Sequence, residues 1–166
     1  MRIVIIHQHY VVPRYQESIW ELTKAYPNCE IHLIVPKSFK MGIVIEAQAL
    51  NKNIRLHTLT APFAKNGKQH FFFFIGLQKK LDEIKADLIW AQAPNSINTW
   101  QAAKYCEKNN VPLLLLRFSN YFRNYRKLHS FLDPRRYLYT AIRKYTYDIA
   151  CGIVVIDDLV ETVVKE

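Results

Sequence analysis

Glycine is scarce in this chain: four in 166 residues, Gly42, Gly67, Gly76 and Gly152, with none in the loop after the first apolar run. A GxGxxG dinucleotide turn and a phosphate loop of the GxxxxGK type both need glycine where backbone N–H groups approach phosphate, so both are excluded. The HExxH and GxSxG patterns are missing too. NAD oxidoreductase, P-loop NTPase and α/β-hydrolase readings fall away with them. The three cysteines, Cys29, Cys106 and Cys151, are widely spaced and form no CxxC. That favours reduced thiols in a cytoplasmic protein over a disulfide framework or a zinc site. No apolar run approaches the roughly 20 residues of a membrane span. The N-terminus MRIVIIHQHY has no small-residue cleavage site and reads as a first strand. Repeats, low-complexity tracts and linkers are lacking as well.

What is present is an apolar chain with its charge gathered in one place. Half the residues are hydrophobic, and the formal net charge is +9. From Leu113 to Lys144 eight basic residues stand against one acid, Asp133, so this segment carries +7 of that charge. Such a patch fits phosphate, nucleic acid or an anionic membrane face. Arg117, Arg123, Arg126, Lys127, Arg135 and Arg136 are its candidate anion contacts, with Tyr121, Phe122, Tyr125, Phe131, Tyr137 and Tyr139 interleaved.

Apolar runs alternate with amphipathic ones along the chain. Strands are expected at Arg2–His7, Glu30–Val35, Ile54–Thr60, Asp87–Ala91, Val111–Leu116 and Gly152–Ile156. Helices are expected at Arg14–Ala25, Lys68–Lys85, Asn95–Asn109 and from Asp133-Pro134 to about Asp148, with a last short helix capped by Asp157 or Asp158. Phe39–Leu50 is ambiguous between a short helix and a loop. Apolar strands alternating with helices indicate a single α/β domain, a doubly wound, Rossmann-like parallel sheet covered on both faces.

Ligands of such sheets bind beyond the carboxyl ends of the strands. His7, His9, Tyr10, Arg14 and Tyr15 follow the first strand, Asn95 the fourth, and Arg117, Ser119, Asn120 and Tyr121 the fifth. No third ligand is located to complete a metal site with His7 and His9. In the expected helix over Lys68–Lys85, Phe73 and Phe74 join Leu77, Leu81 and Ile84 on a core face. Phe72 lines up instead with Lys68, Ile75 and Lys79, an exposed stripe suited to a membrane or a partner domain.

Four segments, in order, resemble the N-terminal, acceptor-side domain of a GT-B glycosyltransferase of the family 4 type. They are Gln16–Lys24, Ala86–Pro94, Val111–Phe122 and Tyr147–Val160, matching the family's "ExxxxxxELAK", "PDVIHAHxP", "GIPxVxRxHGYD" and "ADxVIAVSEAL". The resemblance covers nearly the whole chain. It implies an acceptor site formed by His7, His9, Tyr10, Arg14, Tyr15, Asn95, Arg117, Asn120 and Tyr121. Ser119 occupies the position of a family histidine, and Pro13-Arg14 that of a Gly-Gly pair.

The resemblance further implies no cofactor held by this chain. A nucleotide-sugar donor would be bound by a second domain carrying an E-x7-E pair, supplied in cis or in trans; no such pair precedes Glu166. The isolated chain is therefore expected to be inactive. Its partners would be an anionic membrane surface or a lipid-linked acceptor, in polysaccharide or glycolipid biosynthesis, placing it in the cytoplasm or peripherally on the inner membrane face. A non-catalytic subunit of a split glycosyltransferase and a nucleic-acid-binding module are the alternatives. The second has no RRM, KH or helix-turn-helix signature to support it.

Overall fold

The structure, a computed structural model, describes residues 1–50, 52–66, 72–117 and 134–155. Six strands form one parallel sheet: β1 (Arg2–Ile6), β2 (Glu30–Pro36), β5 (Arg55–Leu59), β6 (Leu88–Gln92), β7 (Leu113–Arg117) and β8 (Gly152–Val155). Their order, β5-β2-β1-β6-β7-β8, is the 3-2-1-4-5-6 order of a doubly wound sheet. β1 lies at its centre, and Val4, Ile5 and Ile6 are wholly buried. Strands sealed on both faces must be continuously apolar, which is why RIVII and LLLLR read so strongly.

Four α-helices are described: α1 (Glu17–Ala25), α2 (Leu77–Ile84), α3 (Ile97–Asn109) and α4 (Pro134–Ile149). α1 crosses from β1 to β2 and α3 from β6 to β7, in opposite directions along the sheet. Right-handed crossovers then put them on opposite faces. α2 packs on α3, and α3 on α4.

Three expectations need correction. The helix over Lys68–Lys85 shrinks to Leu77–Ile84. Gly76 sits at φ +80°, a left-handed conformation that an α-helix cannot contain. Upstream, the backbone is claimed by other partners: Ile75 N–H bonds to Thr60 O at 2.9 Å, and the Gln101 side chain holds both Phe74 N and Phe74 O, at 2.8 and 3.0 Å.

Phe72 is consequently not on an exposed stripe. It is fully buried, edge-on to Phe39 and Phe74 with ring centroids 6.1 and 5.3 Å away. Phe74 is buried as expected, while Phe73 is only half-buried.

The second correction is at Phe39–Leu50, which forms a β-hairpin, β3 (Ser38–Met41) and β4 (Ile43–Glu46), bent at Gly42 with φ +80°. Phe39 and Ile45 face inward, and Lys40 pairs with Val44 on the outer face. The third lies at Arg14–Ala25, whose opening turn is a 3-10 turn over Pro13–Gln16, with the α-helix starting at Glu17. The helix expected after Asp157 or Asp158 lies outside the described residues.

Candidate functional site

In a doubly wound sheet the crevice lies where the connections diverge to opposite faces, here between β1 and β6. β1 ends at Ile6, and the chain leaves it through His7 into two successive 3-10 turns, Gln8–Val11 and Pro13–Gln16. The first turn folds His7 and His9 together, their rings edge to face at 4.8 Å. His7 also meets Tyr10 at 5.4 Å, and His9 meets Tyr15 and Phe39 at 6.3 and 5.7 Å.

On the other side, β6 ends at Gln92. Ala93 follows at φ +59°, a left-handed conformation costly for a residue with a Cβ, and it turns the chain sharply over the sheet edge. Ser96 caps α3 by accepting from Thr99 N–H at 3.4 Å, and the Thr99 hydroxyl donates to Gln92 O at 2.6 Å. From α4 the Thr146 hydroxyl donates to Pro94 O at 2.7 Å, propping the same loop. Across the crevice, Gln92 Nε2 donates to Tyr10 Oη at 2.6 Å.

The first loop is anchored by Gln16, which is wholly buried. Its Nε2 donates to Tyr10 O at 2.6 Å and to Gln48 O at 2.7 Å, and its Oε1 accepts from Leu50 N–H at 2.8 Å. The segment that follows the hairpin's return strand is thereby sewn to the loop that carries the histidines.

Around this crevice lie buried polar atoms with no hydrogen-bond partner among the described residues: His7 Nδ1, Gln8 Oε1, His9 Nε2, Gln92 Oε1, and both side-chain atoms of Asn98 in the first turn of α3. An orphaned buried polar atom costs about 1–3 kcal/mol. A cluster at one end of a sheet marks polarity that the fold itself does not use. Burial pushes the His7 imidazole well below its ordinary value, with His9 adding to the effect, and burial lowers His9 as well. Both rings are therefore neutral at pH 7, each offering one donor and one acceptor. Burial raises the Tyr10 phenol against the opposing hydrogen bonds of Gln92 and Ser18, so it stays protonated.

The structure thus brings together His7, His9, Tyr10 and Tyr15, with Arg14 exposed on the second turn and Asn95 half-buried before α3. Ser119, Asn120, Tyr121, Lys68, Arg123, Arg126 and Lys127 lie outside the described residues, as do the side chains of Arg117 and Arg135. Arg136 is half-buried on α4, and Ile75 and Lys79 are exposed. Gln92, Gln8, Asn98 and Gln16 were not singled out by sequence. The visible signal was polar residues where an α/β strand end should remain apolar. Among the described residues no three His, Cys, Asp or Glu side chains are grouped to hold a metal, and no helix is long and apolar enough to cross a membrane.

No protein-family model matches the chain, and no curated protein matches it in sequence. Among solved structures it superposes on apo UGT2 of Phytolacca americana with a TM-score of 0.57 at 11% identity, over 93% of this chain and 45% of that one. In fold, the chain resembles part of a GT-B glycosyltransferase. The chain spans less than half the length of that protein. The likeness supports a GT-B-like fold without singling out family 4.

A second titratable cluster of this GT-B-like domain lies away from the crevice. On adjacent strands β2 and β5, His32 and His57 stack at 5.1 Å, with Nδ1 of His32 2.9 Å from Nε2 of His57. Glu30 Oε1 lies 3.3 Å from His32 Nε2 and pairs with Arg55. Burial lowers both imidazoles. Glu30 opposes the shift of His32, and His32, Lys80 and Arg55 add to that of His57 while Glu83 opposes it.

Folded, all four of these histidines resist a proton that the unfolded chain accepts near pH 6.5. The unfolded state then binds more protons, so stability falls as pH drops below about 6.5. Urea midpoints are expected to be lower at pH 5.5 than at pH 7.5, and the His32→Gln/His57→Gln variant should lose part of that dependence. Equal midpoints at the two pH values would contradict this.

Proposed function

We propose that this chain is the acceptor-side half of a glycosyltransferase. It holds a glycan or lipid-linked acceptor at the β1/β6 crevice, at the cytoplasmic membrane surface, for transfer from a nucleotide-sugar bound by a second domain in cis or in trans. The observation that carries the reading is the cluster of unpartnered polar atoms on His7, Gln8, His9 and Gln92 at the switch point. A sugar hydroxyl both donates and accepts, so a polyol entering the crevice can complete imidazole nitrogens and amide oxygens together. Neutral imidazoles suit that task, because they bind hydroxyls without requiring a counter-charge.

The roles of the residues follow from their chemistry. His9, half-exposed, would contact the acceptor directly, and His7 behind it would orient the His9 ring. Gln92 and Tyr10 fix the width of the crevice through their shared bond. Ser119 cannot act as an imidazole acid or base, which leaves acceptor binding as the work of this half. Donor activation would belong to the second domain.

Saturation-transfer NMR of the full chain with a panel of soluble glycans and alkyl glycosides tests the proposal. At least one is expected to receive magnetisation, and His9→Ala should weaken its binding by about tenfold, the loss of one good hydrogen bond. Absence of transfer to every glycan, or indifference to His9→Ala, would count against it. Binding of an RNA oligonucleotide in their place would favour the nucleic-acid alternative. Efficient sugar transfer by the chain alone would overturn the assignment of the donor site to a second domain.

A further inference from the structure

A separate open cleft of about 470 Å³ lies at the far end of the same sheet edge, beyond β2 and β5. One wall is the base of the hairpin, Lys37, Ser38 and Glu46; the other is the segment from Thr60 through Phe63 to Lys65. The apolar groups here are unusually bare. Ile43 at the hairpin bend is 73% exposed and Val44 is 51%. Phe63 on the cleft rim is 52% exposed and held at φ +69°, and Ile75, bonded through its N–H to Thr60 O, is 54%. Exposed lysines intersperse them: Lys37 and Lys65 in the cleft, Lys40 opposite Val44, and Lys79 on α2. Glu46 is the one acid on the cleft walls.

We infer that this edge docks on an anionic bilayer. Ile43, Val44 and Phe63 enter the acyl boundary, and Lys37 and Lys65 meet lipid phosphates at the cleft. Charge complementarity selects this occupant. A protein partner would not require lysine beside each bare apolar group, whereas a leaflet with anionic headgroups above hydrocarbon demands that pairing. The hairpin is also built to project. Phe39 and Ile45 anchor its base in the core, and the bend at Gly42 stands four residues beyond Ser38, roughly 13 Å. His9 touches Phe39 at that base. A membrane-bound hairpin would therefore bring the bilayer beside the crevice, where a lipid-linked acceptor has to arrive.

This inference deepens the reading of an acceptor site at a membrane, and the two can fail separately. The test is co-sedimentation of the full chain with vesicles of phosphatidylcholine alone and with about one-third phosphatidylglycerol. Binding is expected only to the anionic vesicles. It should weaken about tenfold in Ile43→Ser/Val44→Ser/Phe63→Ser, and in Lys40→Glu/Lys65→Glu, whose exposed positions leave folding intact. High salt should weaken it as well. A comparison variant on α4, Leu138→Ser/Lys144→Glu, changes another exposed apolar and basic pair and should bind like wild type. Failure of the wild type to bind anionic vesicles, equal binding of the hairpin variants, or loss confined to the α4 variant would each overturn the inference. Glycan binding by NMR, measured without vesicles, reports on the crevice alone. A chain that binds vesicles but no glycan would keep the docking surface and lose the acceptor site.

Discussion

Phe72→Ala is expected to lower the unfolding free energy by about 3–5 kcal/mol, while Ile75→Ala, three residues on, should change it by less than about 0.5 kcal/mol. By helical periodicity the two residues would share a stripe and an exposure. In the structure Phe72 is fully buried in an edge-to-face aromatic stack with Phe39 and Phe74, whereas Ile75 is more than half exposed. Truncating Phe72 opens a cavity between rings that cannot close up, since Phe39 is fixed by the hairpin and Phe74 by Gln101. Urea unfolding at neutral pH, read by tryptophan fluorescence, separates the two outcomes. Similar small losses for both variants would restore a helix running through Phe72 with its side chain in solvent.

Gln16→Ala is expected to cost about 2–4 kcal/mol, a large effect for a polar residue. The amide bonds two carbonyls and one N–H, those of Tyr10, Gln48 and Leu50. Its removal strands the buried Tyr10 carbonyl and loosens the part-buried contacts to Gln48 and Leu50. Gln16→Glu is the sharper variant, because it keeps the size and the acceptor for Leu50. It turns the remaining oxygen toward two carbonyl oxygens, so it should be no more stable than the alanine variant. Hydrogen exchange at the Leu50 amide should accelerate in both, along with the amides of the His7–Val12 loop. Full stability of Gln16→Glu would show that the clamp contributes little.

The central sheet was legible in the sequence because a buried parallel strand has to be apolar on every residue. The ends of Arg2–Ile6, Glu30–Pro36 and Leu113–Arg117 fall within two residues of where the apolar runs stop. Elements governed by partners distant in sequence were harder. No local pattern reveals that Gln101 will hold the backbone of Phe74, or that Thr60 will capture the N–H of Ile75, so the helix was extended through them. The hairpin was there to be read, in the alternation of Phe39, Met41, Ile43 and Ile45 about Gly42, but its short strands resemble an irregular loop.

The site divides in the same way. His7, His9 and Tyr10 could be placed after a strand by position. Their mutual contact depends on the 3-10 turn Gln8–Val11, whose backbone course no local sequence pattern announced. Gln92, which bonds across to Tyr10, carries no sequence signal beyond being polar at the end of an apolar run.

The chain's first residue has a practical consequence. Met1 O accepts from Glu30 N–H at 2.9 Å, so the N-terminus is pinned at the amino edge of β1 with the Met1 side chain in solvent. Every strand of the sheet points the opposite way, toward the crevice and the hairpin. A short tether ahead of Met1 should hold the molecule on a sensor chip with its recognition edge facing the flow, so affinity could be measured on immobilised protein without blocking the surface in question.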